Sequence, residues 1–360
     1  ASYDSLFSKG DKQRSIVEVP LEKISFYASE DADIAFKLKN TQIPLLESFN
    51  LEDIFYNIEI PLISVLKRIE KNGIYIDTKK LKELSIMVGK KILEVSTMIH
   101  ELSGMNFNIN SPKQLAEVLF DHMKLKQIKK RSTSYEVLNF LKDHHPIAEF
   151  ILEFRHLNKL KNTYIDALPE YVNQTTNRIH TSFNQAVTST GRLSSTRPNF
   201  QNIPIRTDLG KEIRKAFIPQ FSNFKIFSAD YSQIELRIMA HFSKEEHLIK
   251  SFNNDEDIHA QTASLIFNIN ENLVTSEQRR IAKIVNFSIM YGAGPFRLSK
   301  EIGVSMKEAK NLIEHYFTTY PRIQNYINRT LKNGKEDGYV KTLFNRRRKT
   351  FNLKHSNMNI

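Results

Sequence analysis

The stretch Thr275–Gly292, TSEQRRIAKIVNFSIMYG, constrains the fold more than any other part of this chain. Thr275 followed three residues later by Gln278 has the form of a capping box, so a helix starts there. Arg279, Lys283, Phe287 and Tyr291 then recur every four residues. Four residues turn an α-helix by about 400° and advance it by about 6 Å, so these side chains form a gently winding stripe about 18 Å long. Ile281, Ala282, Val285 and Ile289 lie on a separate arc, the core-facing side. The fold must therefore bury one arc of this helix and leave the other clear.

Other segments carry similar helix signals. Ser111-Pro112-Lys113-Gln114 predicts a capping box with proline at the first helical position, and Ser305-Met306-Lys307-Glu308 predicts another box. A long amphipathic helix is expected from Leu51 to a C-cap at Gly73, and a second over 81–104 ending at Gly104. Strand-like pieces fall in the middle, RIHTSFNQAV (178–187) and FKIFSAD (224–230). The stretch between them, TSTGRLSSTRPNFQNIPIR, is a loop by its glycine, serine, proline and asparagine content. The basic run KLKQIKKRSTS (124–134) reads as a mobile surface loop. The coarse expectation is α+β, a small sheet between two larger helical regions.

Lys and Arg outnumber Asp and Glu by 52 to 40 in 360 residues, a net charge of +12, which favours a polyanionic partner such as nucleic acid. Cysteine is absent, which excludes disulfides, zinc–thiolate sites and thiol catalysis. No run of 18 apolar residues crosses a membrane, and the polar N-terminus has no signal-peptide core.

The stripe asks for a ligand with phosphates at one end and a flat ring at the other, the shape of a nucleoside triphosphate. Arg279 and Lys283 would hold phosphate oxygens, as forked donor and point charge. Phe287 and Tyr291 would stack near sugar and base. His259, in DEDIHAQTA, is a candidate third cation. A solvated basic face that happens to run into aromatics is the plain alternative. A second stretch, SADYSQIELR (228–237), sets Asp230 at the end of an apolar run and Glu235 five residues on, either a strand meeting a solvated turn or a held carboxylate pair.

Together DYSQIELR (230–237), RRIAKIVNFSIMYG (279–292) and TGRLSSTRPNFQNIP (190–204) resemble the signature motifs of family A DNA polymerases, the bacterial DNA polymerase I type, in order and spacing. SPKQL, KLKNTYIDALP, SEQRR and TLFNRRR extend the resemblance through most of the chain. It implies a right-hand polymerase architecture: mainly helical thumb and fingers, a small antiparallel palm sheet, and before them the tail of a 3′–5′ exonuclease domain. The implied boundaries are 1–48 for that tail, 49–177 for thumb and connecting helices, 178–235 for part of the palm and 236–360 for fingers.

The resemblance further implies a DNA-templated DNA polymerase that transfers deoxynucleotidyl groups to a primer 3′-hydroxyl with two Mg²⁺ ions. Asp230 would ligate both metals and the Tyr231 carbonyl would complete one shell, oxygen donors suiting a hard cation. Gln233 would line the dNTP site. Glu235, packed near Tyr291, would close the space a ribose 2′-hydroxyl needs. Arg279, Lys283 and His259 would grip the triphosphate, and Phe287 would pack on the deoxyribose. Arg192, Asn199, Gln201 and Asn202 would contact primer and template, while Lys159, Lys161 and the 124–131 run would hold duplex phosphates. Tyr27 and Asp31, in YASEDAD, resemble the third exonuclease motif, whose other carboxylates the resemblance would place upstream.

Two departures temper the expectation. The family's second catalytic aspartate lies in an HDE-type motif, and the 360 residues contain neither that motif nor a substitute, Asp208, Asp255 and Asp257 reading as surface residues. The chain by itself is therefore expected to polymerise poorly. Asn345 stands before RRR, where glycine is frequent in the family. A non-catalytic primer–template binding remnant is the main alternative; a single-subunit RNA polymerase is a further one, which Glu235 argues against. The expected partners are primer–template DNA and dNTPs, and the expected setting is a monomer in the bacterial cytoplasm, nucleoid-associated.

Overall fold

The computed structural model describes residues 6–7, 15–205 and 207–350. Residues 1–5 and 8–14 of the expected exonuclease tail, Arg206, and 351–360 of the expected fingers lie outside the described residues. The chain divides into two units, Ala1–Phe227 and Ser228–Ile360.

In the first unit the backbone is organised by the helix Thr78–Ser103. Asp77 caps it by accepting from the amides of Lys79 and Lys80, both at 3.0 Å. Gly104 ends it in the left-handed conformation. Leu81, Leu84, Val88, Val95 and Ile99 repeat at helical spacing and are all buried. The lower part of this row packs with Leu160, Tyr164, Ile165, Leu168, Ile179 and Ile213. The upper part packs with Leu138, Ile147, Ile151 and Phe154. One helix thus serves two clusters, each fully buried aliphatic side chain contributing about 1.5–3 kcal/mol.

The expected helix from Leu51 to Gly73 forms, with one departure. Phe55–Glu59 is π-helical, directly ahead of Pro61, whose missing N–H removes the bond to the carbonyl four residues back. Gly73 closes this helix at φ +59°, and a Cβ there would lie 2.6 Å from the Ile179 carbonyl oxygen. That approach lets Ile74–Tyr75 pair with Arg178–Ile179. Ser111 caps the next helix, at Pro112–Ala116, by accepting from the Gln114 amide. The return half of that expected box is missing, because the Gln114 side chain accepts from the Asn108 amide instead. The basic run 124–134 is a loop, with Arg131 clamped on Asp121.

Among the described residues the strands form three two-stranded antiparallel ribbons. Ser182–Asn184 pairs with Ser194–Thr196, which belongs to the stretch expected to be all loop. The third ribbon joins Tyr339–Lys341 to Arg347–Lys349, and Asn345 occupies its turn at φ +68°. Asparagine tolerates that left-handed position, so the ribbon closes without the family's glycine.

The FKIFSAD segment is not a strand. Residues 224–231 have no regular structure, and every residue from Phe221 to Ser232 is exposed, Phe227 at 89%. A strand exists only as a member of a ladder, and no described segment pairs with this one.

The second unit is helical around one core. Leu236 and Ala240 from Ile234–Ser243, Ile258 and Ile266 from Ile258–Phe267, and Val285 and Ile289 from Ser276–Met290 meet there with Tyr316, Tyr320 and Ile323. Two full capping boxes fix helix starts, Thr275 with Gln278 and Ser305 with Glu308.

Candidate nucleotide site

The Ser276–Met290 helix presents both expected arcs. Ala282, Val285, Asn286 and Ile289 are buried, whereas Arg279 and Lys283 are exposed, Phe287 is half-buried and Tyr291 is 58% exposed. The end of the helix fixes Tyr291. Gly292 sits at φ +73°, its amide donating to the Ile289 carbonyl, while the Ala293 amide donates to that of Ser288. This paired closure holds Tyr291 as the last residue of the stripe.

Tyr291 then reaches another helix. Its hydroxyl donates to Glu235 Oε1 at 2.7 Å, and Glu235 lies in the first turn of Ile234–Ser243, where a carboxylate also suits the helix dipole. Gln233 is the residue ahead of that turn, in the left-handed region at φ +49°. Asp230 and Tyr231 stand just before it in the exposed, irregular segment.

The cationic end is braced by a residue read from the sequence as a simple surface aspartate. Asp257 Oδ1 accepts from the amides of His259 and Ala260, capping Ile258–Phe267, and its Oδ2 accepts from Arg279 Nε at 2.7 Å. Burial pushes the Asp257 carboxyl up, but the Arg279 hydrogen bond and the two amides carry it below its ordinary value. An aspartate at a helix start two residues before His259 is a legible cap signal; its ion pair with a residue 22 positions away is not.

His259 is a correction. The ring is 3% exposed and lies 5.9 Å from the Phe287 ring, between centroids. Burial, then the Arg279 charge, lower its pKa to about 4 against the opposing pull of Asp257. His259 is therefore neutral near pH 7 and supplies no third cation. Its Nδ1 lies 3.2 Å from Asn286 Nδ2, and Asn286, fully buried within the apolar arc, was not singled out in the sequence.

Within the first unit the candidate DNA contacts differ from one another. Arg192 and Lys159 are exposed. Lys161 does not present a free ammonium: it donates to Asp166 at 2.6 Å and Ser85 at 2.7 Å. Gln201 is likewise engaged, Nε2 donating to the Leu193 carbonyl and Oε1 accepting from the Ser195 amide, so its amide braces the loop. Asn199 caps the short turn Phe200–Asn202, and the Asn202 carbonyl accepts from Tyr164 Oη at 2.6 Å. Tyr27 and Asp31 sit one turn apart on the helix Leu21–Ser48, with Asp31 exposed.

No three His, Cys, Asp or Glu residues gather to hold a metal ion among the described residues. Asp230 offers one exposed carboxylate, an oxygen donor of the kind a hard cation takes.

A model of DNA polymerase family A matches residues 78–360. The chain belongs to DNA polymerase family A. It is 43% identical over 349 residues to the DNA polymerase I of Borreliella burgdorferi, covering 96% of this chain and 38% of that protein. The enzyme of Bacillus subtilis is 41% identical over 365 residues, covering 100% and 41%. That of Deinococcus radiodurans is 46% identical over 311 residues, covering 85% and 32%. The chain thus spans about two fifths or less of these family A relatives. A solved structure described as the POL domain of Pol1 from M. smegmatis in complex with DNA primer-template and dNTP matches with a TM-score of 0.81 and 36% identity. It covers 87% of this chain and 56% of that one. This family A chain therefore has the α+β polymerase fold, mostly helical with short antiparallel ribbons.

Proposed function

We propose that this chain is the nucleotide-selecting part of a DNA-templated DNA polymerase, a nucleotidyltransferase that takes dNTPs and works on primer–template DNA. The observation that carries the reading is the exposed Arg279–Lys283–Phe287–Tyr291 stripe tied to Glu235 by the Tyr291 hydroxyl. Arg279 and Lys283 hold triphosphate oxygens. Phe287 packs on the deoxyribose, and Gln233 lines the same site. The Glu235–Tyr291 pair occupies the space a 2′-hydroxyl would need, which argues against a ribonucleotide polymerase. Arg192, Asn199 and Asn202 contact primer and template, and Lys159 holds duplex phosphates. The reading takes the chain as 49–177 thumb, 178–235 palm and 236–360 fingers, acting as a monomer in the bacterial cytoplasm with its nucleoid DNA; 1–48, with Tyr27 and Asp31, is read as the exonuclease tail.

Asp230 and the Tyr231 carbonyl would hold Mg²⁺, which would supply the charge neutralisation that nucleotidyl transfer needs. Primer extension by the 360-residue chain is expected to be weak, because its sequence holds no HDE-type motif. The test is ultraviolet crosslinking of labelled dATP and ATP to the chain on primer–template DNA. Crosslinks confined to 279–291, favouring dATP, support the reading. Equal labelling by ATP, or labelling elsewhere, refutes it. DNA binding without any nucleotide crosslink would favour the non-catalytic alternative.

A further inference from the structure

Beneath the stripe lies a buried polar chain whose protons can be assigned one by one. Thr262, Asn286 and Tyr320 are essentially inaccessible, and His259 is nearly so. Thr262 donates its only hydroxyl proton to the Ile258 carbonyl at 2.7 Å, the other acceptor within reach, Asn286 Oδ1, being farther at 3.5 Å. Its oxygen must then accept from its other neighbours, Asn286 Nδ2 at 3.1 Å and Tyr320 Oη at 3.2 Å. The first of these contacts orients the Asn286 amide with its nitrogen toward Thr262. The second proton of that nitrogen is directed at His259 Nδ1, 3.2 Å away. Nδ1 is consequently an acceptor, and the one proton of the neutral ring resides on Nε2.

Among the described residues, Nε2 has no hydrogen-bond partner. It is not sealed in either, since Ser194 Oγ alone is a buried, unpartnered side-chain nitrogen or oxygen among the described residues. The ring is thus held from behind and open at one N–H. The ring lies 5.9 Å from that of Phe287, a member of the stripe, and the Arg279 and Lys283 charges both act on it.

We propose that Asn286 is a positioning residue that fixes His259 as the Nε2–H tautomer, making His259 a neutral hydrogen-bond donor to a triphosphate oxygen. The donor clause rests on the nucleotide reading above; the tautomer clause does not. A neutral donor suits this place, because a third cation beside Arg279 and Lys283 would repel both in the absence of ligand. Asn286 achieves this without charge, by offering only N–H to Nδ1.

Long-range ¹H–¹⁵N NMR on the ¹⁵N-histidine-labelled 360-residue chain, with His259→Gln to assign the resonance, reads the tautomer without any ligand. The expected result is an Nε2–H ring near pH 7; an Nδ1–H ring or an imidazolium overturns the proposal. Asn286→Asp replaces the donor by a group of the same shape that only accepts, so the ring proton should move to Nδ1. Retention of Nε2–H in that variant overturns the role of Asn286. Should the buried carboxylate prevent folding, Thr262→Val removes the acceptor that orients the amide, and a mixture of tautomers is expected; an unchanged single tautomer overturns it.

For the donor clause, inorganic tripolyphosphate should shift the Nε2 resonance, and dATP should bind about tenfold more weakly to Asn286→Asp, the loss of one hydrogen bond to a charged group. A resonance unmoved by bound dATP overturns the donor role. Failure of dATP to bind the unaltered chain would count against the nucleotide reading, while the tautomer result would still stand.

Discussion

Arg279 Nε and the Asp257 carboxylate meet at 2.7 Å, and the other oxygen of that carboxylate caps the helix on which His259 sits. One side chain thereby sets both the start of Ile258–Phe267 and the posture of the first cation of the stripe. The two roles separate by substitution. Asparagine caps as well as aspartate but carries no charge, so Asp257→Asn should leave stability within about 0.5 kcal/mol. Asp257→Ala loses the cap too and should cost about 1–2 kcal/mol. Urea unfolding of both variants checks this; equal losses would contradict the capping role.

The Tyr291–Glu235 hydrogen bond ties the end of one helix to the start of another. Glu235→Ala removes both the acceptor and the side chain proposed to close the space of a 2′-hydroxyl. The preference for dATP over ATP, measured as a ratio of dissociation constants, should fall about tenfold or more, roughly one well-made polar contact. Glu235→Gln keeps an acceptor for the Tyr291 hydroxyl and should retain most of the preference. An unchanged ratio in the alanine variant would remove Glu235 from sugar selection.

His259 makes stability depend on pH. Its pKa is lowered from 6.5 to about 4 in the fold, so between these values the unfolded chain binds the extra proton. Stability should be full above about pH 6.5 and fall as the pH drops toward 4, by up to about 3 kcal/mol. Asp257, whose pKa is lowered from 3.8, and glutamates lowered from 4.5, such as Glu256 and Glu301, add losses at the acid end of this range, so the comparison with a His259 variant isolates the histidine. Urea unfolding at pH 7 and pH 4.5 should show a larger loss for the unaltered chain than for His259→Gln, and parallel losses would refute the assignment.

Gly73 combines φ +59° with a carbonyl oxygen 2.6 Å from where a Cβ would stand. Gly73→Ala should destabilise the chain by more than about 2 kcal/mol, through backbone strain and the displaced pairing of Ile74 with Ile179. Gly104 shares the positive φ but meets no atom within 4 Å, so Gly104→Ala should cost only about 1 kcal/mol. Thermal unfolding of the pair distinguishes close approach from conformation alone.

What the sequence shows well in this chain is what depends on neighbours a few residues away. The Thr275 and Ser305 boxes, the Gly73 and Gly104 stops and the two arcs of Ser276–Met290 are all local, and all are present. The Ser111 box was half-formed because a closer donor, the Asn108 amide, took the Gln114 side chain. The apolar run ending at Asp230 carries strand propensity, but a strand needs a partner that propensity cannot name. Lys161 and Gln201 look like free polar groups until their partners fold against them, Ser85 lying 76 positions from Lys161. Asn286 was hidden for the same reason: its meaning lies in His259 and Thr262, 27 and 24 positions away.

The central claim is that the exposed stripe binds a deoxynucleoside triphosphate through Arg279 and Lys283. Calorimetric titration of the 360-residue chain with dATP in Mg²⁺ buffer, beside its Lys283→Ala variant and beside deoxyadenosine, tests it most directly. Saturable dATP binding, weakened about tenfold or more in Lys283→Ala and far weaker for deoxyadenosine, is the predicted result. Equal dATP affinity in Lys283→Ala, or deoxyadenosine binding as tightly as dATP, would contradict it.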